Sequence, residues 1–167
     1  MKLVDANILL YAYNDQAEYH SESRRWLDQA FAEPGQVALP WLVTQAFIRI
    51  GTNPRIHTPP FDLEQSIRTV SGWLKQPNVV VIEPTPRYWG IFGGLLLETR
   101  TTGPKVTDAA LAALAVDHGA VLCSTDRDFR RFPGLKLLDP LEPVRHRVQD
   151  AFKASLQASA SYPLSAK

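Results

Sequence analysis

The chain has 167 residues, 45% of them apolar and 21% charged, with eighteen lysines and arginines against seventeen aspartates and glutamates. That composition excludes a disordered or fibrous protein over most of the length, and a net charge of +1 gives no global field advertising a nucleic-acid partner. A single cysteine, Cys123, excludes an internal disulfide framework and any cysteine-built zinc site.

In chain order, Leu3 and Val4 form a brief strand closed by Asp5, which stands where it could cap a helix starting near Ala6. Ser21 caps a helix with Trp26, Leu27, Ala30 and Phe31 on one face, stopping before Pro34 and Gly35. Residues 41–50 read as a second helix, ended by Gly51 and Pro54. Asp62 and Gln65 resemble a capping box, followed by Leu63, Ile67, Val70 and Leu74 at helical spacing. A branched run, residues 79–82, is fenced by Pro77 and Pro84 and reads as a strand. Pro86 suits the first turn of a helix reaching about Glu98. Thr107 caps the next, with Leu111, Leu114, Ala115 and His118 on one stripe and Gly119 as its stop. Residues 120–123 form another strand, and Leu137 with Leu138 a weak fourth.

Continuous rather than alternating apolarity in the strands means both faces are covered, as in a parallel sheet. The fold class expected is therefore α/β, a mostly parallel sheet flanked by helices in three layers. One domain is expected over residues 1–145, followed by a tail over 146–167, rich in Ala and Ser from residue 151, that is mobile or ordered by a partner. The start of the chain lacks the apolar core of a signal peptide. The longest nearly apolar run, 89–97, is far short of the ~20 residues that span a bilayer. A cytoplasmic protein is the expectation.

The informative feature is where the aspartates fall. Asp5 closes the first strand, Asp126 follows the 120–123 strand, and Asp108 lies in the first turn of the helix between. In an open parallel sheet chemistry gathers at the carboxyl ends of strands, so these three face one crevice, with Asp128 within reach. Each has a plainer role available, as a helix cap, a helix-dipole partner or a turn former. Their convergence on one sheet edge outweighs those roles. Carboxylates so placed repel one another and either shift their pKa values or bind a cation. Oxygen donors without histidine or cysteine select a hard ion, Mg²⁺ or Mn²⁺. Such an ion suits phosphodiester hydrolysis.

The segments Val4-Asp5-Ala6-Asn7-Ile8-Leu9-Leu10-Tyr11, Val106-Thr107-Asp108-Ala109-Ala110-Leu111 and Ser124-Thr125-Asp126-Arg127-Asp128-Phe129 resemble the PIN-domain family, and within it the VapC-type toxins of type II toxin–antitoxin systems. The stretch 47–54 and the Phe132-Pro133-Gly134 turn add to the likeness, which covers roughly residues 2–140. The resemblance implies a PIN-like fold and an Mg²⁺- or Mn²⁺-dependent endoribonuclease acting on transfer or ribosomal RNA. It also implies a cognate antitoxin and a homodimer. By position it makes Asp5, Asp108 and Asp126 the catalytic, metal-binding acids. Asn7 becomes the residue orienting the first acid, and Thr125 a holder of Asp126 or of a phosphate oxygen.

One departure stands out. The family carries a glutamate a few residues before the arginine matching Arg49, and residues 41–49 contain no acid. Ala46 falls at that position, or Gln45 if the register slips by one. Three acids then serve one ion, or the chain is a weakened module that binds RNA or antitoxin without cutting. Glu98 is a remote substitute.

Among the remaining residues, Arg127, Arg130 and Arg131 flank the acids and are candidates for RNA phosphate contacts. Arg49 either binds phosphate or pairs with a site acid. His20, His57, His118 and His146 share no metal-ligand spacing, and the four tryptophans read as core or dimer packing. The Gly93–Gly94 pair permits close approach of another helix. A phosphatase or phospho-acceptor domain is disfavoured, since the first requires an aspartate at position 7 and the second an acidic pair near the first strand's end.

Overall fold

The computed structural model describes residues 1–142, so the 146–167 tail expected from the sequence lies outside the described residues. Five short strands form one sheet, β1 (Lys2–Val4), β2 (Val37–Ala38), β3 (Val79–Val80), β4 (Val121–Cys123) and β5 (Lys136–Leu138). Their order is β3-β2-β1-β4-β5 and every pairing is parallel, with Leu3 opposite Ala38 on one side and Leu122 on the other. Leu3, Val4, Leu122 and Cys123 have no exposed surface. Consecutive strand residues point to opposite faces, so both faces are covered. The Cys123 thiol is accordingly pushed up by burial to about 12, which leaves it unreactive.

Among the described residues six helices supply that cover: α1 (Ala6–Tyr13), α2 (His20–Ala32), α3 (Trp41–Gly51), α4 (Leu63–Trp73), α5 (Tyr88–Thr99) and α6 (Val106–Asp117). One set packs α1 against α2 and α3, and α3 against α4; the other packs α5 against α6. Phe47 of α3, Trp73 of α4 and Tyr13 of α1 interlock edge to face, and the Trp73 indole N–H donates to the Tyr13 hydroxyl at 2.9 Å. α6 is buried almost all round and carries the alanine-rich run 109–115 against the sheet.

Helix ends differ from expectation in instructive ways. Asp62 caps α4, its carboxylate accepting the Gln65 N–H at 2.7 Å. The buried face of α4 is Ser66, Val70 and Trp73, which leaves Leu63 and Ile67 about half exposed. The expected stripe was rotated because the bulky Trp73, not Leu74, seats in the aromatic cluster. α2 begins at His20, ahead of Ser21. α6 begins at Val106, so Thr107 lies inside it, because a tight turn over Gly103–Lys105 leads directly into the helix. Gly119 does stop α6: it adopts φ +61°, and the Ala120 N–H returns to the Ala115 carbonyl at 2.8 Å.

α5 starts at Tyr88 rather than at Pro86. Buried Asp117 holds Thr85 through both its N–H (2.9 Å) and its hydroxyl (2.6 Å), fixing residues 85–87 as a turn ahead of the helix. β3 is two residues long and sits at the sheet edge, so residue 82 leaves the ladder although Ile82 stays buried. β2, between Gly35 and Pro40, has no counterpart in the sequence reading, since two residues carry no periodicity.

Candidate active site at the carboxyl edge of the sheet

The strand order places a topological switch between β1 and β4, the two neighbours whose connections depart in opposite directions. Ligand crevices in open α/β sheets lie outside the carboxyl ends of such strands. Asp5 follows β1 directly, and Ser124, Thr125 and Asp126 follow β4. The Asp5 N–H donates to the Cys123 carbonyl at 3.0 Å, extending the ladder by one rung and joining the ends of β1 and β4.

Asp5 occupies the cap position of α1, yet its side chain does not cap the helix. Its Oδ2 instead accepts a 2.7 Å hydrogen bond from the Ser124 hydroxyl. The same Ser124 Oγ accepts from the Asn7 amide at 2.9 Å and from the Asp126 N–H at 3.0 Å. One hydroxyl thus uses its proton and both lone pairs to tie together three of the candidate residues. Asn7 reaches Asp5 only through this serine, and its Oδ1 is buried without a hydrogen-bond partner among the described residues. Ser124 was visible in the sequence only as part of the Ser-Thr-Asp run. Thr125, its neighbour, is buried.

Burial pushes the Asp5 carboxyl up to about 6; the Ser124 hydroxyl opposes the shift, and repulsion from Asp108 and Asp126 adds to it. Asp108, in the first turn of α6, is likewise raised, chiefly by burial. Asp126 opens the 3-10 turn Arg127–Arg131 and accepts the Asp128 N–H at 2.8 Å. The charges of Asp108 and Asp126 both act on Asp5, so the three acids lie near one another at this edge of the sheet.

A cation already sits beside two of them, Asp108 and Asp126, and against Asp128. Lys105 Nζ lies 2.7 Å from Asp128 Oδ2, 3.3 Å from Asp108 Oδ2 and 3.8 Å from Asp126 Oδ2. These carboxylates hold the ammonium well above its ordinary pKa, with Asp128 the largest contributor. The Asp128 carboxyl is correspondingly lowered. Lys105 carried no expectation from the sequence, where it reads as one more surface lysine. Among the described residues no three carboxylates, histidines or cysteines stand in ready ligating geometry. The donor set nonetheless fits a hard cation: it is all oxygen, mutually repelling, and already holds a positive charge.

Arg49 is exposed in the last turn of α3 and makes no ion pair with these acids among the described residues. Gln45 is exposed and Ala46 half-buried. Glu98, exposed near the end of α5, is not among the groups that shift Asp5 or Asp108. Of the flanking arginines, Arg130 lies 3.4 Å from Glu142, and Arg131 donates to the Thr99 carbonyl at 2.9 Å. Among the described residues no other helix packs closely on Gly93 or Gly94, where an added side chain would meet open space. A separate cavity of about 400 Å³ lies away from the acids, between Tyr13, Phe47, Phe61 and Thr69.

A parallel sheet in the order 3-2-1-4-5 with acids gathered at its switch point defines a carboxylate-based α/β domain of PIN type. The PIN domain profile matches residues 2–135, and the chain belongs to the PIN domain family. Ribonuclease VapC37 of Mycobacterium tuberculosis is 41% identical over 140 residues, 84% of this chain and 97% of the relative. Ribonuclease VapC31 of the same species is 34% identical over 140 residues, 84% of this chain and 99% of that one. VapBC2 from Rickettsia felis, solved bound to a DNA fragment from its promoter, superimposes with a TM-score of 0.62 at 20% identity, covering 82% of this chain and 96% of that one.

Proposed function

We propose that this chain is the ribonuclease toxin of a type II toxin–antitoxin pair, a cytoplasmic hydrolase cutting RNA phosphodiester bonds with Mg²⁺ or Mn²⁺. The observation that carries the reading is the Ser124-centred junction, which fixes Asp5 and the Asp126 backbone at one point beside Asp108. The names of the relatives, VapC ribonucleases at up to 41% identity, support the activity, and the VapBC likeness supports an antitoxin partner. No helix among the described residues is long and apolar enough to cross a membrane.

In this reading Asp5, Asp108 and Asp126 hold the ion, which when bound supplies Lewis-acid stabilisation of charge on the phosphate and lowers the pKa of water. Ser124 orients Asp5 and, with Asn7, keeps it from turning to cap α1. Asp108 is aimed by the first turn of α6, and Asp126 by the turn it opens. Thr125 and Asp128 border the same loop. Arg127, beside Asp126, and Arg49 are assigned to RNA phosphates, a role their exposure supports. We assign residues 1–145 to this single nuclease unit. α5 exposes Trp89 (74%) and Leu97 (83%) and leaves Gly90, Gly93 and Gly94 open, which suits a second copy packing there as a homodimer.

Incubating purified, antitoxin-free protein with bacterial RNA tests the reading. Discrete fragments are expected with Mg²⁺ or Mn²⁺, none with EDTA and none from Asp5→Asn; cleavage surviving in EDTA would refute it. The second reading, binding without cleavage, is favoured by the absence of an acid at 45–46 and gives RNA binding with no fragments in any metal.

A further inference from the structure

Lys105 ends the tight turn Gly103–Lys105, in which Gly103 adopts φ +60° and Pro104 stiffens the approach to α6. That turn places the lysine one helical step ahead of Asp108 and opposite the loop carrying Asp126 and Asp128. The ammonium contacts Oδ2 of all three, joining two segments that no strand pairing connects directly. We propose that Lys105 is an internal counter-cation that occupies the carboxylate cluster in the metal-free protein, and that a divalent ion binds only as this ammonium withdraws.

The inference rests on the reading of Asp5, Asp108 and Asp126 as metal ligands and adds to it a residue that competes for the same oxygens. A magnesium-sized ion draws carboxylate oxygens to about 2.0–2.1 Å, far inside the distances an ammonium imposes. Two cations sharing the Oδ2 atoms of Asp108 and Asp126 also repel each other. Three carboxylates around one ammonium leave the group net negative, so a dication is still attracted once the lysine leaves. Departure is mechanically simple: the side chain is 43% exposed on a flexible four-carbon stem, and solvent lies on one side. The device keeps the carboxylates from repelling one another when no ion is bound and sets the metal concentration at which the site loads.

Mn²⁺ binding measured by calorimetry or electron spin resonance, with no RNA present, tests this on wild type, Lys105→Met, Lys105→Gln, Lys105→Arg and Asp126→Asn. Lys105→Met and Lys105→Gln are expected to bind Mn²⁺ about tenfold more tightly, ~1.4 kcal/mol, and to melt lower than wild type without metal. Lys105→Arg is expected to bind as wild type does. Unchanged or weaker Mn²⁺ binding in the two neutral variants, with Asp126→Asn impaired, would overturn the role of Lys105 and leave the metal site standing. No Mn²⁺ binding by any folded variant, wild type included, would overturn the metal reading and this inference with it.

Discussion

Ser124 Oγ donates a 2.7 Å hydrogen bond to Asp5 Oδ2, across 119 positions of sequence. Asp5 stands at the start of α1, where an aspartate ordinarily caps, yet its side chain makes no capping bond.

Ser124→Ala removes a buried hydroxyl serving three partners and leaves the Asn7 amide and the Asp126 N–H to find others. A loss of about 1–3 kcal/mol in stability is expected, read from the melting midpoint. RNA cleavage should fall by roughly 10- to 100-fold, since the hydroxyl orients a ligand rather than binding the ion itself. Ser124→Thr, which keeps the hydroxyl, should recover most of both.

The Asp5 carboxyl is raised from 3.8 to about 6, so the folded state holds its proton more tightly than the unfolded chain does. The stabilisation from this proton is therefore complete below pH 4 and lost as the pH rises through about 6. Metal-free protein should gain stability from this group as the pH falls from 7 towards 4, by at most roughly 3 kcal/mol. Asp5→Asn should flatten that part of the pH–stability curve. An unchanged slope in the variant would show that another group carries it.

Asp117 has no exposed side-chain surface, and burial alone would raise its carboxyl. The two hydrogen bonds from Thr85, helped by the charges of His118 and Arg87, instead hold it below the usual range. Asp117→Ala should lower the melting midpoint by an amount equivalent to about 1–3 kcal/mol, because the Thr85 donors lose their partner. Mn²⁺ affinity should be unaffected, since Asp117 lies at the opposite end of α6 from Asp108.

The exposed face of α5 predicts association. Trp89→Glu combined with Leu97→Glu should shift the protein towards monomer in analytical ultracentrifugation, with little change in far-ultraviolet circular dichroism, because neither residue supports the core. A monomeric wild type would remove α5 as a homodimer face.

The sequence by itself determined the α/β class, the parallel sheet and the three converging aspartates. Each is carried by local signals: continuous apolar runs such as 120–123, a stop at Gly119, and acids placed where strands end. It also shows that residues 41–49 contain no acid. Only the tertiary structure decided how those acids are held. β2 became a strand because β1 and β3 lie on either side of it, a fact no two-residue segment can encode. The buried face of α4 was chosen by the aromatic cluster around Phe47, and the start of α5 by Asp117, which holds Thr85 from 32 positions away. Ser124 and Lys105 became part of the site for the same reason. A serine hydroxyl and a lysine ammonium have no fixed role in a chain; their partners are set by which distant carboxylates the packed sheet brings within 3–4 Å.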